Sequence, residues 1–356
     1  MPPSPTAMQG PAKHCTACGL PADVGRYCEA CGGELEEDRR RPETPAWQSS
    51  AATEDNPSHP GGSDDHAAFA LPGIGAATDV GRRHHYNQDS LAIGLAEDGR
   101  RIAVVCDGVS GASDSERASL AGVEAAVTEI RQALGEGVSA EEAARRGVGA
   151  AHQAVAAVGK RYPQSPPSST YVSVIAEGDE AVLCWVGDSR VYWAGDQEAK
   201  CLTVDDTILA RLEYQGVDPS DDRYRNPYAK ALLAWLGADA PTLNPNLLRV
   251  RPGGGHVVVC SDGLSRYFEN DSDLLPLPDG TVGDKAVALT RQALAHGGHD
   301  NISVAVLELE SPGSDQVEKP EQAQADPDSR QEDDSSSLLG VAREAEYTEL
   351  LGGGRP

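Results

Sequence analysis

Basic residues are scarce in this sequence. Lys and Arg number 30 against 56 Asp and Glu, a net charge of −26 over 356 residues. A chain this acidic is repelled by nucleic-acid phosphates and by anionic lipid surfaces, which argues against either as its main partner. No apolar run approaches the length of a membrane span. The opening MPPSPTAMQG lacks a basic-then-apolar leader pattern. The expectation is a soluble, cytoplasmic protein that meets neither nucleic acid nor membrane. Internal repeats are missing, and so is a disulfide framework. Of the eight cysteines, Cys106, Cys184, Cys201 and Cys260 stand singly, mostly within apolar runs, as a reducing compartment permits. The apolar fraction of 39% is low for a chain folded throughout, so part of it is expected to be linker or tail.

Composition divides the rest into four regions. Residues 13–33 carry the other four cysteines. Residues 34–68 are rich in Glu, Asp, Pro, Ser and Gly with few large apolar side chains, and read as a disordered linker. Residues 69–310 contain nearly all the candidate core. Residues 311–356 form an acidic, mostly disordered tail, apart from apolar patches at Leu338–Val341 and Leu350–Leu351.

Within the large region the runs 102–106, 171–176, 181–186, 191–194, 256–260 and 302–309 are short, β-branched and bounded by Gly or Asp, and are predicted strands. Glu177-Gly178-Asp179 suits a hairpin turn. Leu120, Val123, Val127, Ile130 and Leu134 recur at helical steps. A second helix is predicted from Ser139, with Glu142 completing a capping box, to about Lys160. A third is predicted over 284–296, closed by Gly297. Paired helices between strands, without regular βαβ alternation, give an α+β domain with mostly antiparallel sheets.

The aspartates fall at strand ends. The runs IAVVC, AVLCWV and HVVVC lead into Asp107-Gly108, Gly187-Asp188 and Ser261-Asp262-Gly263, while Asp300-Asn301 precedes ISVAVLEL. In an antiparallel sheet the start of one strand lies beside the ends of its neighbours, so all four carboxylates can meet at one end. Each Asp-Gly taken alone reads as an ordinary turn. Together they read as a self-repelling cluster that a hard cation, Mg²⁺ or Mn²⁺, would neutralise, and two such ions can hydrolyse phosphate esters.

At this point the sequence resembles the metal-dependent Ser/Thr protein phosphatases of the PP2C type (the PPM family) in their bacterial form. The motifs appear in family order: Thr78-Asp79-Val80-Gly81 leading to Asn87-Gln88-Asp89-Ser90, Val105-Cys106-Asp107-Gly108, Ser168-Ser169-Thr170, and Val186-Gly187-Asp188-Ser189-Arg190. Leu202-Thr203-Val204-Asp205, Cys260-Ser261-Asp262-Gly263-Leu264 and His299-Asp300-Asn301-Ile302 follow. The resemblance implies a four-layer α-β-β-α sandwich with a Mn²⁺ or Mg²⁺ centre at one end, and hydrolysis of phosphoserine and phosphothreonine by a metal-activated water. It implies that Asp107 bridges two metals, that Gly108 offers its carbonyl, and that Asp262 and Asp300 are direct ligands. Asp89 would act through water, and Asp188 would share a third, weaker ion with Asp262. The family pattern is broken in three places. His84 stands where an Arg for the substrate phosphate is usual; His84 is expected to take that role, with Arg83 in support. Gln88 replaces an acidic residue, and 109–112 reads Val-Ser-Gly-Ala. The stretch 208–240 falls where the family carries a variable flap, although it also reads as a plain surface loop and helix.

Cys15-x-x-Cys18 and Cys28-x-x-Cys31 have the spacing of two knuckles closing one tetrahedral thiolate site. They resemble a zinc ribbon holding one structural Zn²⁺; a redox pair or unrelated cysteines are the other readings. With few bases, the ribbon is expected to dock protein. The leading function is a protein Ser/Thr phosphatase acting on phosphorylated proteins and reversing bacterial Ser/Thr kinase signalling. The alternatives are a catalytically weak pseudophosphatase that binds phosphoproteins and, against the charge balance, a ribbon that binds nucleic acid.

Overall fold

A computed structural model of the protein describes residues 46–50, 66–109 and 114–311, together with the backbone of two short upstream strands. These two, β1 (Lys13–His14) and β2 (Pro21–Ala22), pair antiparallel. The cysteines of the expected ribbon (Cys15, Cys18, Cys28 and Cys31), residues 110–113 and the tail from 312 lie outside the described residues.

The chain enters the main body through β3 (Trp47–Ser49), β4 (His66–Leu71), β5 (Ile74–Asp79), β6 (Asp89–Leu95) and β7 (Arg101–Asp107). Helices α1 (Ser115–Gly135) and α2 (Ala140–Gly159) follow. Next come β8 (Ser168–Ser169), β9 (Tyr171–Glu177), β10 (Glu180–Val186), β11 (Arg190–Ala194) and β12 (Ala199–Cys201). The expected flap holds α3 (Ile208–Tyr214) and β13 (Leu236–Gly237). The chain closes with β14 (Asn246–Val250), β15 (Gly255–Cys260), α4 (Asp262–Ser265), α5 (Val282–Ala295) and β16 (Ile302–Leu309).

Two six-stranded antiparallel sheets result, in the orders β14-β10-β9-β7-β6-β3 and β12-β11-β15-β16-β5-β4. Their facing sides bury Leu91, Ile93, Val105, Val172 and Leu183 of the first against Ile74, Val191, Val257, Val259 and Leu307 of the second. The outer face of the first sheet packs Ile102, Val104 and Ile175 under α1 and α2. The outer face of the second packs Val258, Val304 and Val306 under Ala286, Leu289 and Ala293 of α5. This is the expected α-β-β-α order. The central strands are buried on both faces, which is why they read as unbroken apolar runs rather than as alternating ones. Gly178, at φ +56, turns β9 into β10 with Glu177 opposite Glu180, the conformation that a two-residue hairpin loop requires at its first central residue. Burial pushes the Cys106 and Cys184 thiols up to about 12, so they serve as small apolar side chains.

Two expectations need correction. The stretch 34–68 is not linker throughout. Trp47–Ser49 pairs with Gly94–Ala92 along the free edge of β6, Leu95 N donates to Ala46 O at 2.9 Å, and Ser49 Oγ donates to Glu124 on α1 at 2.9 Å. Residues 66–68 likewise open β4 opposite Asp79–Ala77. Main-chain pairing to a ready edge needs no apolar periodicity, so neither segment announced itself. At α2, Ser139 Oγ accepts from Glu142 N at 3.2 Å as expected. The Glu142 carboxylate, however, accepts from Arg146 one turn on, at 3.2 Å, and the reciprocal half of the box is not made.

Candidate metal centre

The β6–β7 ladder places Asp89 directly opposite Asp107, so main-chain pairing alone brings two carboxylates together at the end of the first sheet. Asp262 follows β15 and Asp300 precedes β16, adjacent strands of the second sheet. Asp188 lies in the crossing from β10 to β11, where the chain passes from one sheet to the other. The five meet where the two sheets end together, and each of the other four raises the pKa of Asp107 by its charge.

Close backbone approaches hold that end. Gly81, at φ +76, lies so near the chain before β16 that a Cβ would stand 2.1 Å from Asp300 O. At Gly263 a Cβ would stand 1.8 Å from Asn301 O, and at Gly108 it would stand 2.6 Å from Gln88 O. The Asp-Gly pairs at 107–108 and 262–263 thus do more than turn the chain: their glycines, like Gly81, let the loops around the carboxylates touch. Asn301 ties the loop 80–88 down. Its Oδ1 accepts from Gln88 N at 2.8 Å, and its Nδ2 donates to Val80 O at 2.8 Å and Tyr86 O at 3.1 Å. Ser261 Oγ donates to Asp89 Oδ2 at 2.6 Å and itself accepts from Ser303 N at 3.0 Å. Asp107 N donates to Thr170 Oγ1 at 3.0 Å, and Thr170 N donates to Asp107 O at 2.8 Å. Arg190 grips Asp205 with both fork nitrogens, at 2.9 and 2.7 Å, and so steadies the crossing that carries Asp188.

The electrostatics are those of uncompensated charge. Burial pushes Asp89 up to about 7; its bond from Ser261 pulls it down, and Asp262 and Asp300 push it up again. Burial, then the charges of Asp262 and Asp205, push Asp188 to about 7. Asp107 is raised well above the ordinary carboxylate range by burial and its four neighbours. Asp262 is raised by burial, while Arg266 and Lys230, the latter in the stretch 208–240, pull against that rise.

The expected His84 is at the centre, its Nε2 3.1 Å from Asp300 Oδ1. Arg83 is exposed and makes no ion pair or hydrogen bond with the carboxylates among the described residues. Arg266, which sequence reasoning passed over, reaches Asp300 Oδ2 at 2.7 Å and Asp262 Oδ2 at 3.2 Å. Its i,i+4 spacing from Asp262 was legible, but that spacing is common on helix surfaces and names no site. Asn301, Ser261 and Thr170 stood within the motifs with no role assigned.

The donor set fits a hard divalent cation. It offers only oxygens, and its buried carboxylates repel one another. Among the described residues no three His, Cys, Asp or Glu side chains converge into a ready-made cage.

Comparison with known proteins agrees with this fold. The family model described as Protein phosphatase 2C matches residues 80–286, more than half of the sequence. The chain belongs to that family. It is 29% identical over 238 residues to the serine/threonine protein phosphatase PstP of Mycobacterium tuberculosis (strain ATCC 25618 / H37Rv), a match covering 66% of this chain and 44% of that protein. The chain therefore spans less than half the length of that relative. It is 26% identical over 239 residues to the serine/threonine phosphatase stp of Listeria monocytogenes serovar 1/2a, covering 65% of this chain and 93% of that one. In structure it is similar to the crystallised M. tuberculosis serine/threonine phosphatase PstP/Ppp, with a TM-score of 0.57 and 26% identity over 67% of this chain and 98% of that one. Among the described residues no helix is long and apolar enough to cross a membrane.

Proposed function

We propose that this chain is a divalent-cation-dependent phosphatase acting on phosphoserine and phosphothreonine in proteins. The observation that carries the reading is the meeting of five carboxylates at the shared end of two sheets, with Asp89, Asp107, Asp188 and Asp262 raised in pKa by burial, as groups that call for a cation are. A related structure, the PstP catalytic domain, is described as a complex with two manganese ions. Bound Mn²⁺ or Mg²⁺ would supply a water acidic enough to attack phosphorus and positive charge to offset that of the phosphate. Asp107, Asp262 and Asp300 would hold the ions directly, with the Gly108 carbonyl beside them. Asp89, fixed by Ser261, would orient a water, and Asp188 would serve a third, weaker site. His84, anchored on Asp300, would donate to the substrate phosphate. The flap 208–240, whose Lys230 lies near enough to affect Asp262, would shape the approach of the phosphoprotein.

The same reading takes Cys15, Cys18, Cys28 and Cys31 as ligands of one structural Zn²⁺, in a ribbon that docks protein. It places the enzyme in the cytoplasm, opposite a bacterial Ser/Thr kinase. A pseudophosphatase reading has no separate support, since all five carboxylates are present. Hydrolysis of a phosphothreonine peptide by the full chain, with Mn²⁺ and with chelator, tests the proposal. Turnover that needs the metal and is lost in Asp262→Ala supports it. Metal binding by folded protein without turnover overturns it.

A further inference from the structure

The place expected for a phosphate-binding arginine holds His84, and Arg83 beside it does not reach the carboxylates. The arginine that does reach them comes from elsewhere in the chain. Arg266 lies one helical turn beyond Asp262, so its side chain returns over the start of α4. Its Nη1 donates to Asp300 Oδ2 at 2.7 Å and its Nη2 to Asp262 Oδ2 at 3.2 Å. His84 Nε2 meets the other oxygen of the same carboxylate, Asp300 Oδ1, at 3.1 Å. A single carboxylate group therefore separates the histidine in the expected place from this arginine. Both side chains are partly open to solvent, His84 at 31% and Arg266 at 30%.

We propose that Arg266 binds the substrate phosphate, doing from the C-terminal end of α4 the work that the histidine at position 84 does only in part. This rests on the reading of the site as a phosphatase centre. A guanidinium has five N–H donors in a fixed plane, and the two carboxylates engage one on each Nη. The remaining donors share the same plane and suit the oxygens of a phosphate. Charge points the same way. A fixed positive group on two metal-ligand carboxylates repels a divalent cation, so by itself it weakens the centre it sits in. Toward a dianionic phosphate the same charge is attractive. A simple counter-ion for Asp262 would not need to span two carboxylates from different elements, whereas a group held rigidly for an incoming anion does.

Three measurements on the full chain test this: KM and kcat for a phosphothreonine peptide, inhibition by inorganic phosphate, and Mn²⁺ affinity by calorimetry. In Arg266→Gln, KM and the inorganic phosphate inhibition constant should rise together by about ten- to a hundredfold. Mn²⁺ affinity should hold or tighten. Arg266→Lys, which keeps the charge but not the fork, should recover part of the loss and guards against a folding defect in the first variant. An unchanged phosphate inhibition constant with weaker Mn²⁺ binding would overturn the proposal and leave Arg266 as a support for the metal ligands. If the unaltered chain shows no turnover, the phosphatase reading fails by itself. Calorimetric binding of inorganic phosphate to the Mn²⁺-loaded protein then decides for Arg266: equal affinity in the unaltered and Arg266→Gln proteins overturns the proposal, and a loss in the variant sustains it.

Discussion

The two halves of the carboxylate centre are built differently. Asp89 and Asp107 face each other across the β6–β7 ladder, fixed by main-chain pairing, with hydrogen bonds to Asp89 from Ser261 but no arginine against either among the described residues. Asp262 and Asp300 sit at the ends of β15 and β16, partly exposed, with Arg266 across both and His84 on one. One half is buried and short of positive charge; the other already has it. The same residue type at the same end of the same sandwich is thus a source of instability on one side and an anchored ion-pair network on the other. Rigidity comes from the sheet, and the positive charge comes from the segments at its end.

The largest effect on that comparison should follow from closing the backbone contact beneath it. Gly263→Ala places a methyl 1.8 Å from Asn301 O, which the chain must relieve by moving Asp262 or Asp300. The expected outcome is loss of Mn²⁺-dependent turnover and destabilisation of about 3 kcal/mol, read by chemical denaturation. Next, the two halves should respond in opposite directions to losing a charge. The Asp89 carboxyl is raised to about 7 in the folded state from 3.8, so between these values the folded protein binds the proton and the unfolded chain does not. Its penalty is absent below about pH 4 and grows as pH rises through 7. Asp89→Asn should therefore stabilise the chelated protein at pH 8 by up to about 4 kcal/mol, and leave it unchanged at pH 4. Asp300→Asn, which takes a partner from Arg266 and His84, should instead destabilise the chelated protein at pH 8 by about 1 kcal/mol, since those side chains are partly solvent-screened. Thermal unfolding of both variants across pH reads the difference. Asn301→Ala should free the loop 80–88 by removing three hydrogen bonds, at about 2 kcal/mol, with faster amide exchange at Gln88 as the check. Smallest of all, Arg83→Ala should leave KM for a phosphopeptide within about twofold, because surface substitutions away from such contacts change little.

Much of this was legible in the sequence. The central strands announced themselves because burial on both faces produced continuous apolar runs, and the aspartates at their ends gave the position of the centre. The strands β4 and β5 did not, because half of each is Ala or Gly. Gly75 in β5, for example, has no room for a side chain where α5 crosses it: a Cβ would lie 2.4 Å from Gly283 N. Small residues chosen for close helix packing carry no β-branched signature. Arg266 was hidden for another reason. Its importance lies in reaching Asp300, 34 residues further along the chain, and long-range pairing of that kind has no local pattern. Asn301 was visible as part of a motif, but its work, holding three backbone groups of a loop more than 200 positions away in sequence, emerges only once the sheets bring both segments together.

The central claim, that these carboxylates form one repelling cluster which a divalent cation relieves, is tested most directly by thermal unfolding at pH 5 and pH 8, in chelator and in Mn²⁺, for the unaltered chain and for Asp89→Asn. The midpoint in chelator should fall from pH 5 to pH 8, Mn²⁺ should restore it chiefly at pH 8, and both changes should shrink in the variant. A midpoint at pH 8 that Mn²⁺ leaves unmoved, with the variant no more stable than the unaltered chain, would contradict it.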